Sequence, residues 1–135
     1  MLKYILLLIC VVTLNSKTLN HIKWYWNYEK ALKIARIEHK PLMLFLQKKD
    51  SKESKKMLFN TLCHKSYIKQ INKNFISVVA FFEDKNSYPI EMFYTLDFPV
   101  VFFIDYKDES LLYEPIIGYI GSKQFETILQ RIKLK

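Results

Sequence analysis

Hydrophobic positions fall into two rhythms along this chain. Leu42 to Leu46 is apolar at every position, as expected of a central strand covered on both faces, and Ile76 to Phe82 and Val100 to Ile104 are strand-like in the same way. Tyr28, Ala31, Leu32 and Ala35 recur instead at three- and four-residue spacing, which places them on one helical face within Ile22 to Glu38. That helix is expected over Tyr28 to His39, stopping at Lys40-Pro41, where the proline lets a strand begin. A second helix is predicted from near Ser51, carrying Met57, Leu58 and Leu62, and a short third one carries Tyr67, Ile68 and Ile71. Tyr88 to Leu96 reads as a short helix or turn. Asp105 to Ser110 is a polar turn suited to a hairpin leading into Leu111 to Ile117, and Phe125, Ile128, Leu129 and Ile132 share one face of a closing helix, Gln124 to Ile132. Strands alternating with helices, then a hairpin, predict an α/β fold.

The first residues follow neither rhythm. Met1-Leu-Lys3 is a short positive start, and Tyr4 to Leu14 is an apolar run of signal-peptide length, short of the roughly 20 residues a membrane span needs. Residues 1–20 are therefore read as an export leader cut between Ser16 and Asn20, with residues 21–135 as one domain. The alternative is an uncleaved leader that anchors the protein to the membrane. Cys10 lies inside this segment, and the bulky Ile9 before it argues against lipid attachment there. About 115 residues remain, enough for a single core. Half the chain is hydrophobic and 16% is aromatic, with no linker or repeat, so a disordered adaptor is excluded.

The net charge is +8, and loss of Lys3 with a leader cut at Ser16 lowers it to +7. Lys48, Lys49, Lys52, Lys55 and Lys56 crowd the turn around Ser51, offset only by Asp50 and Glu53. Such a patch can steer acidic proteins, anionic head groups or phosphates, although a solvated lysine-rich surface accounts for it equally simply. Nucleic acid is not the expected partner, because Arg36 and Arg131 are the only arginines and no aromatic-interleaved basic segment exists.

Several landmarks occur in order. Trp24 and Trp26 precede the first helix, and Lys40-Pro41 introduces the apolar strand. Ser51-Lys-Glu-Ser54 follows in the polar turn, then Lys55-Lys-Met57, the strand Asn74-Phe-Ile-Ser-Val-Val79, Phe98-Pro99 directly before another strand, and Gly118-Tyr119 before the last helix. Over about residues 22 to 133 this pattern resembles the thioredoxin superfamily, and within it the secreted bacterial thioredoxin-like proteins. The resemblance implies a single thioredoxin-like domain with a central mixed β-sheet flanked by helices, a bacterial periplasmic location, and a cis bond before Pro99. It also places Ser51 and Ser54 where relatives carry the cysteines of a Cys-x-x-Cys pair.

That exchange changes the chemistry. A cysteine at a helix start is activated as a thiolate, whereas serine forms no exchangeable bond and cannot cycle electrons as a dithiol does. The serines are read chiefly as helix caps, with Asp50 or Ser51 accepting the first N–H groups and Glu53 standing three residues after Asp50 as a capping-box partner. A serine nucleophile would need a base within about 3 Å. On an unbroken helix His64 lies about 20 Å from Ser51, no spacing with His21 or His39 suggests a triad, and Gly118 and Gly121 form no nucleophile elbow.

Cys63, the one cysteine outside the leader, falls about 18 Å along the same helix from Ser51. It is expected to pack beside Leu58 and Leu62, with exposure and a mixed disulfide to a partner as the alternative. Cys63-His64 lacks a second pair to complete a metal site, so no metal or cofactor is expected. The reading that results is an exported domain without dithiol redox chemistry. It would bind a protein or peptide in a groove formed by Ser51, Ser54, Phe98, Pro99 and Trp24 or Trp26, the tryptophans otherwise packing on the core. The alternative is a thiol-disulfide oxidoreductase-family protein that acts through Cys63 or whose active-site cysteines have been replaced by serine.

Overall fold

Two apolar layers enclose one sheet, and the strand Leu42–Gln47 contributes to both. The computed structural model describes residues 20–132; the expected leader, with Lys3 and Cys10, falls almost wholly outside them. In chain order the strands are β1 (Trp24–Tyr25), β2 (Leu42–Gln47), β3 (Ile76–Phe81), β4 (Val100–Ile104) and β5 (Ile116–Ile117). The helices are α1 (Tyr28–Glu38), α2 (Lys52–Lys56), α3 (Lys65–Asn74) and α4 (Ser122–Arg131). The strand order is β1-β3-β2-β4-β5; the first three run parallel, and β4 and β5 run antiparallel to their neighbours.

Every residue of β2 is buried, which explains its unbroken hydrophobicity. Met43 and Phe45 face one layer with Val79, Phe103 and Phe125, while Leu42, Leu44 and Leu46 face the other with Ala31, Val78 and Phe102. Helix α1 covers the second layer through Tyr28, Ala31, Leu32 and Ala35; α3 and α4 cover the first through Tyr67, Ile68, Ile71, Phe125, Ile128 and Leu129. Asn27 caps α1, its Oδ1 accepting the Lys30 N–H at 3.0 Å, and His39 ends it in the left-handed region at φ 54°. No helix among the described residues is long and apolar enough to cross a membrane.

Three expectations need correction, and one is met as a turn. Trp24 and Tyr25 form an edge strand that helical spacing had hidden. The helix at Ser51 does not run on to Cys63: it widens to a π-helical turn over Met57–Thr61 and closes with the Leu62 N–H donating to the Met57 carbonyl at 3.0 Å. Tyr88 to Leu96 is, as expected, a turn, formed at Pro89 and anchored by burial of Tyr88 and Phe93. The strand predicted over Leu111 to Ile117 shrinks to a bridge at Leu111 and the pair Ile116–Ile117, because Pro115 has no N–H to give to a ladder.

Buried phenols give this core an alkaline limit. The Tyr28 hydroxyl donates to Glu109 Oε1 at 2.9 Å, the Tyr67 hydroxyl donates to the Thr61 carbonyl, and the buried Tyr88 hydroxyl has no partner among the described residues. Burial raises all three above the ordinary value of 10.0, with the Glu109 hydrogen bond adding to the effect at Tyr28. The folded state therefore holds these protons more tightly than the unfolded chain. Stability is complete below about pH 10 and falls as pH rises beyond it. Urea midpoints measured from pH 8 upward should stay level and then drop above pH 10, and Tyr28→Phe should reduce the drop; a midpoint that rises above pH 10 would refute this assignment.

Candidate functional site

Parallel β1, β3 and β2 all end at one edge of the sheet, and antiparallel β4 begins there. In an open α/β sheet this edge is where ligands gather. The topology therefore brings together Trp26 after β1, Phe81 and Phe82 at the end of β3, the turn from Lys48 to Ser51 after β2, and Phe98-Pro99 before β4.

The turn positions the two serines. Asp50 adopts φ 64°, so it is not the cap, and the expected Asp50–Glu53 capping box is not formed. Ser51 has the extended backbone that a cap requires, and its Oγ accepts the Ser54 N–H at 3.1 Å. Ser54 is only 1% exposed, and its Oγ accepts the Lys48 N–H at a long 3.4 Å. Both hydroxyls are thus tied to backbone at the start of α2. No imidazole among the described residues hydrogen-bonds either serine: His64 caps α3 through Nδ1, and His39 packs edge-on against Tyr106. A serine-histidine nucleophile has no geometric basis here.

The Phe98-Pro99 bond is cis, as the resemblance implied. Pro99 is buried and its carbonyl accepts the Gly118 N–H at 2.7 Å; Gly118 sits at φ 86°, a conformation that disfavours any side chain. Phe98 is half-buried, packs on Phe82 with ring centroids 5.1 Å apart, and pairs neither its N–H nor its C=O with a described residue. Trp26 is 63% exposed and lies over Phe81 at 6.5 Å. Trp24 is different: it is half-buried and packs on Phe45 at 6.1 Å, against the edge of the core. Trp26 follows β1 at the same end of the sheet as Ser51, Phe98 and Pro99, three strand positions from β4 in the order β1-β3-β2-β4.

Four contributors escaped sequence reading. Phe81 and Phe82 read in sequence only as strand residues, Glu83 accepts the Lys49 N–H on both carboxylate oxygens at 3.1 and 3.0 Å, and the Tyr119 ring, read only as a landmark before the last helix, has its centre 4.3 Å from Nζ of the already noted Lys56. The parallel register that sets Gln47 beside Phe81 brings the first three to the turn. That register is a tertiary fact with no local signal.

Cys63 does not pack beside Leu58 and Leu62 as expected. Leu62 turns inward at 2% exposure, the chain reverses with the His64 N–H donating to the Thr61 carbonyl at 3.2 Å, and Cys63 points outward, exposed and in no disulfide among the described residues. In the folded protein a thiol reagent should modify it at a rate close to that of the urea-unfolded chain. Protection by more than about tenfold would mean that Cys63 is buried after all. Among the described residues no group of three His, Cys, Asp or Glu side chains is arranged to hold a metal ion.

The family model described as thioredoxin-like matches residues 23–105, which spans β1 through β4 and includes Trp26, Ser51, Ser54, Phe98 and Pro99. The chain belongs to the thioredoxin-like family. Solved structures agree on the fold of this thioredoxin-like chain. A thioredoxin from Thermus thermophilus superposes with a TM-score of 0.71 at 14% identity, covering 82% of this chain and 86% of that one. A structure described as DsbH oxidoreductase gives 0.70 at 20% identity over 90% and 94%. The oxidised C-terminal domain of DsbD from Neisseria meningitidis gives 0.64 at 18% identity over 78% and 92%. No curated protein matches the chain in sequence.

Proposed function

We propose that this chain is an exported thioredoxin-like protein that binds a protein or peptide segment non-covalently at the sheet edge and carries out no dithiol redox chemistry. The observation that carries the reading is the pair Ser51 and Ser54: both hydroxyls are engaged by backbone N–H groups at the helix start, and neither can form or break a disulfide. The rest of the edge suits an extended partner. The unpaired N–H and C=O of Phe98 can join its backbone as a neighbouring strand would, while Phe98 and the exposed Trp26 supply apolar contact. Export rests on the positive start and apolar run of residues 1–20, and the bacterial periplasm is the compartment proposed.

The test is a titration with an extended peptide, followed through the backbone amides. Shifts centred on Ser51, Phe98 and Trp26, weakened by Phe98→Ala and Trp26→Ala, are the expected result, together with no reduction of insulin disulfides. Shifts scattered over α3 or β5, or turnover of insulin by the unmodified chain, would refute the proposal.

The exposure of Cys63 favours a second reading, in which that thiol forms a mixed disulfide with a partner. The thiolate would attack one sulfur of a partner disulfide and release the other as a thiol. Non-reducing capture of partners by the parent but not by Cys63→Ser, with release by reductant, would select this reading; equal capture by both excludes it.

A further inference from the structure

The strongest unabsorbed feature is charge. Lys48, Lys49, Lys52, Lys55 and Lys56 are all exposed around the serine turn, and with Asp50 and Glu53 they leave residues 48–56 at a net +3. None of the five is ion-paired to a carboxylate among the described residues. Glu83, which reaches the turn from the end of β3, accepts the Lys49 backbone N–H. Lys52, Lys55 and Lys56 stand at i, i+3 and i+4, so they share one side of α2. Lys52 also occupies the first turn, where a helix favours an acidic side chain, so its charge does nothing for the fold. Lys56 over Tyr119 and Lys49, 6.0 Å from the Phe81 ring centre, hold cations against two aromatic rings that flank the site.

We infer that the occupant of this groove is an acidic extended segment of a partner protein, its backbone paired at Phe98 and its Asp and Glu side chains set against the lysines of the turn and α2. The inference rests on the peptide-binding reading above and adds the partner's chemistry. Lysines beside half-buried aromatic rings also suit an anionic membrane surface. The unpaired backbone of Phe98 decides against it: covering an N–H and a C=O with lipid leaves them unsatisfied, whereas a peptide strand satisfies both.

The experiment compares two synthetic peptides of about ten residues, one alternating Thr and Glu and its twin alternating Thr and Gln, with calorimetry for affinity and backbone amide shifts for location. Exposed charge pairs are individually weak, so three together are expected to make the Glu peptide about tenfold tighter, about 1.4 kcal/mol. Raising salt from about 0.05 M to about 0.5 M shortens the screening length and should erase that preference. The triple variant Lys52→Glu, Lys55→Glu, Lys56→Glu should lose it too, read as the ratio of Glu-peptide to Gln-peptide affinity within each protein. The corresponding Lys→Gln triple variant should lose part of it. All three side chains are exposed, and an unchanged circular dichroism spectrum confirms the fold.

Equal affinity for the two peptides, with shifts at Phe98 and Ser51 for both, would overturn the acidic partner and leave the groove standing. Absence of shifts at Phe98 and Ser51 with either peptide would overturn the groove reading and the inference with it. Binding of the parent to vesicles of phosphatidylglycerol and phosphatidylcholine that the Glu peptide does not displace would overturn the inference in favour of a membrane surface.

Discussion

Replacing Ser51 and Ser54 together by cysteine should give this protein a disulfide-reducing activity at least about tenfold above that of the parent. Position 51 caps α2, where free N–H groups and the helix dipole stabilise a thiolate. An ordinary thiol with pKa about 8.5 is only about 3% ionised at pH 7, and one lowered to about 7 is about half ionised, so the attacking species rises by more than about tenfold. Position 54 is buried, which suits a resolving thiol shielded from solvent. The thiolate introduced at position 51 would attack a substrate disulfide and release one substrate thiol. The thiol introduced at position 54, as its thiolate, would then displace the second substrate thiol and leave a disulfide between the two new cysteines, to be reset by added dithiothreitol.

Insulin reduction with dithiothreitol as the electron source is the assay. The double variant should exceed the parent by at least about tenfold, and Ser51→Cys alone should stall as a mixed disulfide. The gain comes with a stability loss of about 1 kcal/mol, because sulfur replaces the oxygen that accepts the Ser54 N–H at 3.1 Å. A double variant that folds but stays at the parent's rate would show that the site has lost more than its sulfurs.

The largest stability effect is expected at Phe103. Its side chain is 0% exposed in β4, with ring centroids 5.4 Å from Phe75 at the end of α3 and 6.4 Å from Phe125 in α4. One side chain therefore joins the sheet to both helices of that layer. Phe103→Ala removes the apolar transfer energy and opens a cavity that close-packed neighbours cannot fill, a loss of about 3 to 5 kcal/mol. A domain of this size has about 5 to 15 kcal/mol in total, so the variant should be marginally folded. Phe103→Leu, which keeps most of the volume, should lose less than half as much. Urea unfolding of the three proteins provides the comparison, and a loss below about 1 kcal/mol for Phe103→Ala would show that the layer relaxes around the gap.

Legibility followed the range of the interactions involved. The strands Leu42–Gln47 and Val100–Ile104 could be read almost to the residue because burial on both faces requires an uninterrupted apolar run. Helix α1 was legible from its spacing and from Pro41; the last helix begins two residues earlier than its apolar face suggested, at Ser122. Features that depend on what lies across the sheet were not legible. β1 is two residues long and exists only by pairing with Ser77 and Val78. The break before Cys63 depends on Leu62 fitting the core, and with it came the exposure of a cysteine expected to be buried. Trp24 and Trp26 look alike in sequence, and only their partners, Phe45 and Phe81, separate a half-buried residue from an exposed one.

By itself the sequence determined the α/β alternation, the density of lysine beside Ser51, and the absence of cysteine from Ser51-Lys-Glu-Ser54, because residue identity and spacing set these directly. The landmarks around Pro99 were enough to point to the thioredoxin-like family. Tertiary structure decided which side chains meet. Parallel pairing of β1, β3 and β2 carries their ends to one edge, so Trp26, Phe81, Phe82, Ser51 and Phe98 come together from segments distant in the chain. The physical reason is that a sheet's register is fixed by burial of both its faces at once, a condition no short stretch of sequence contains.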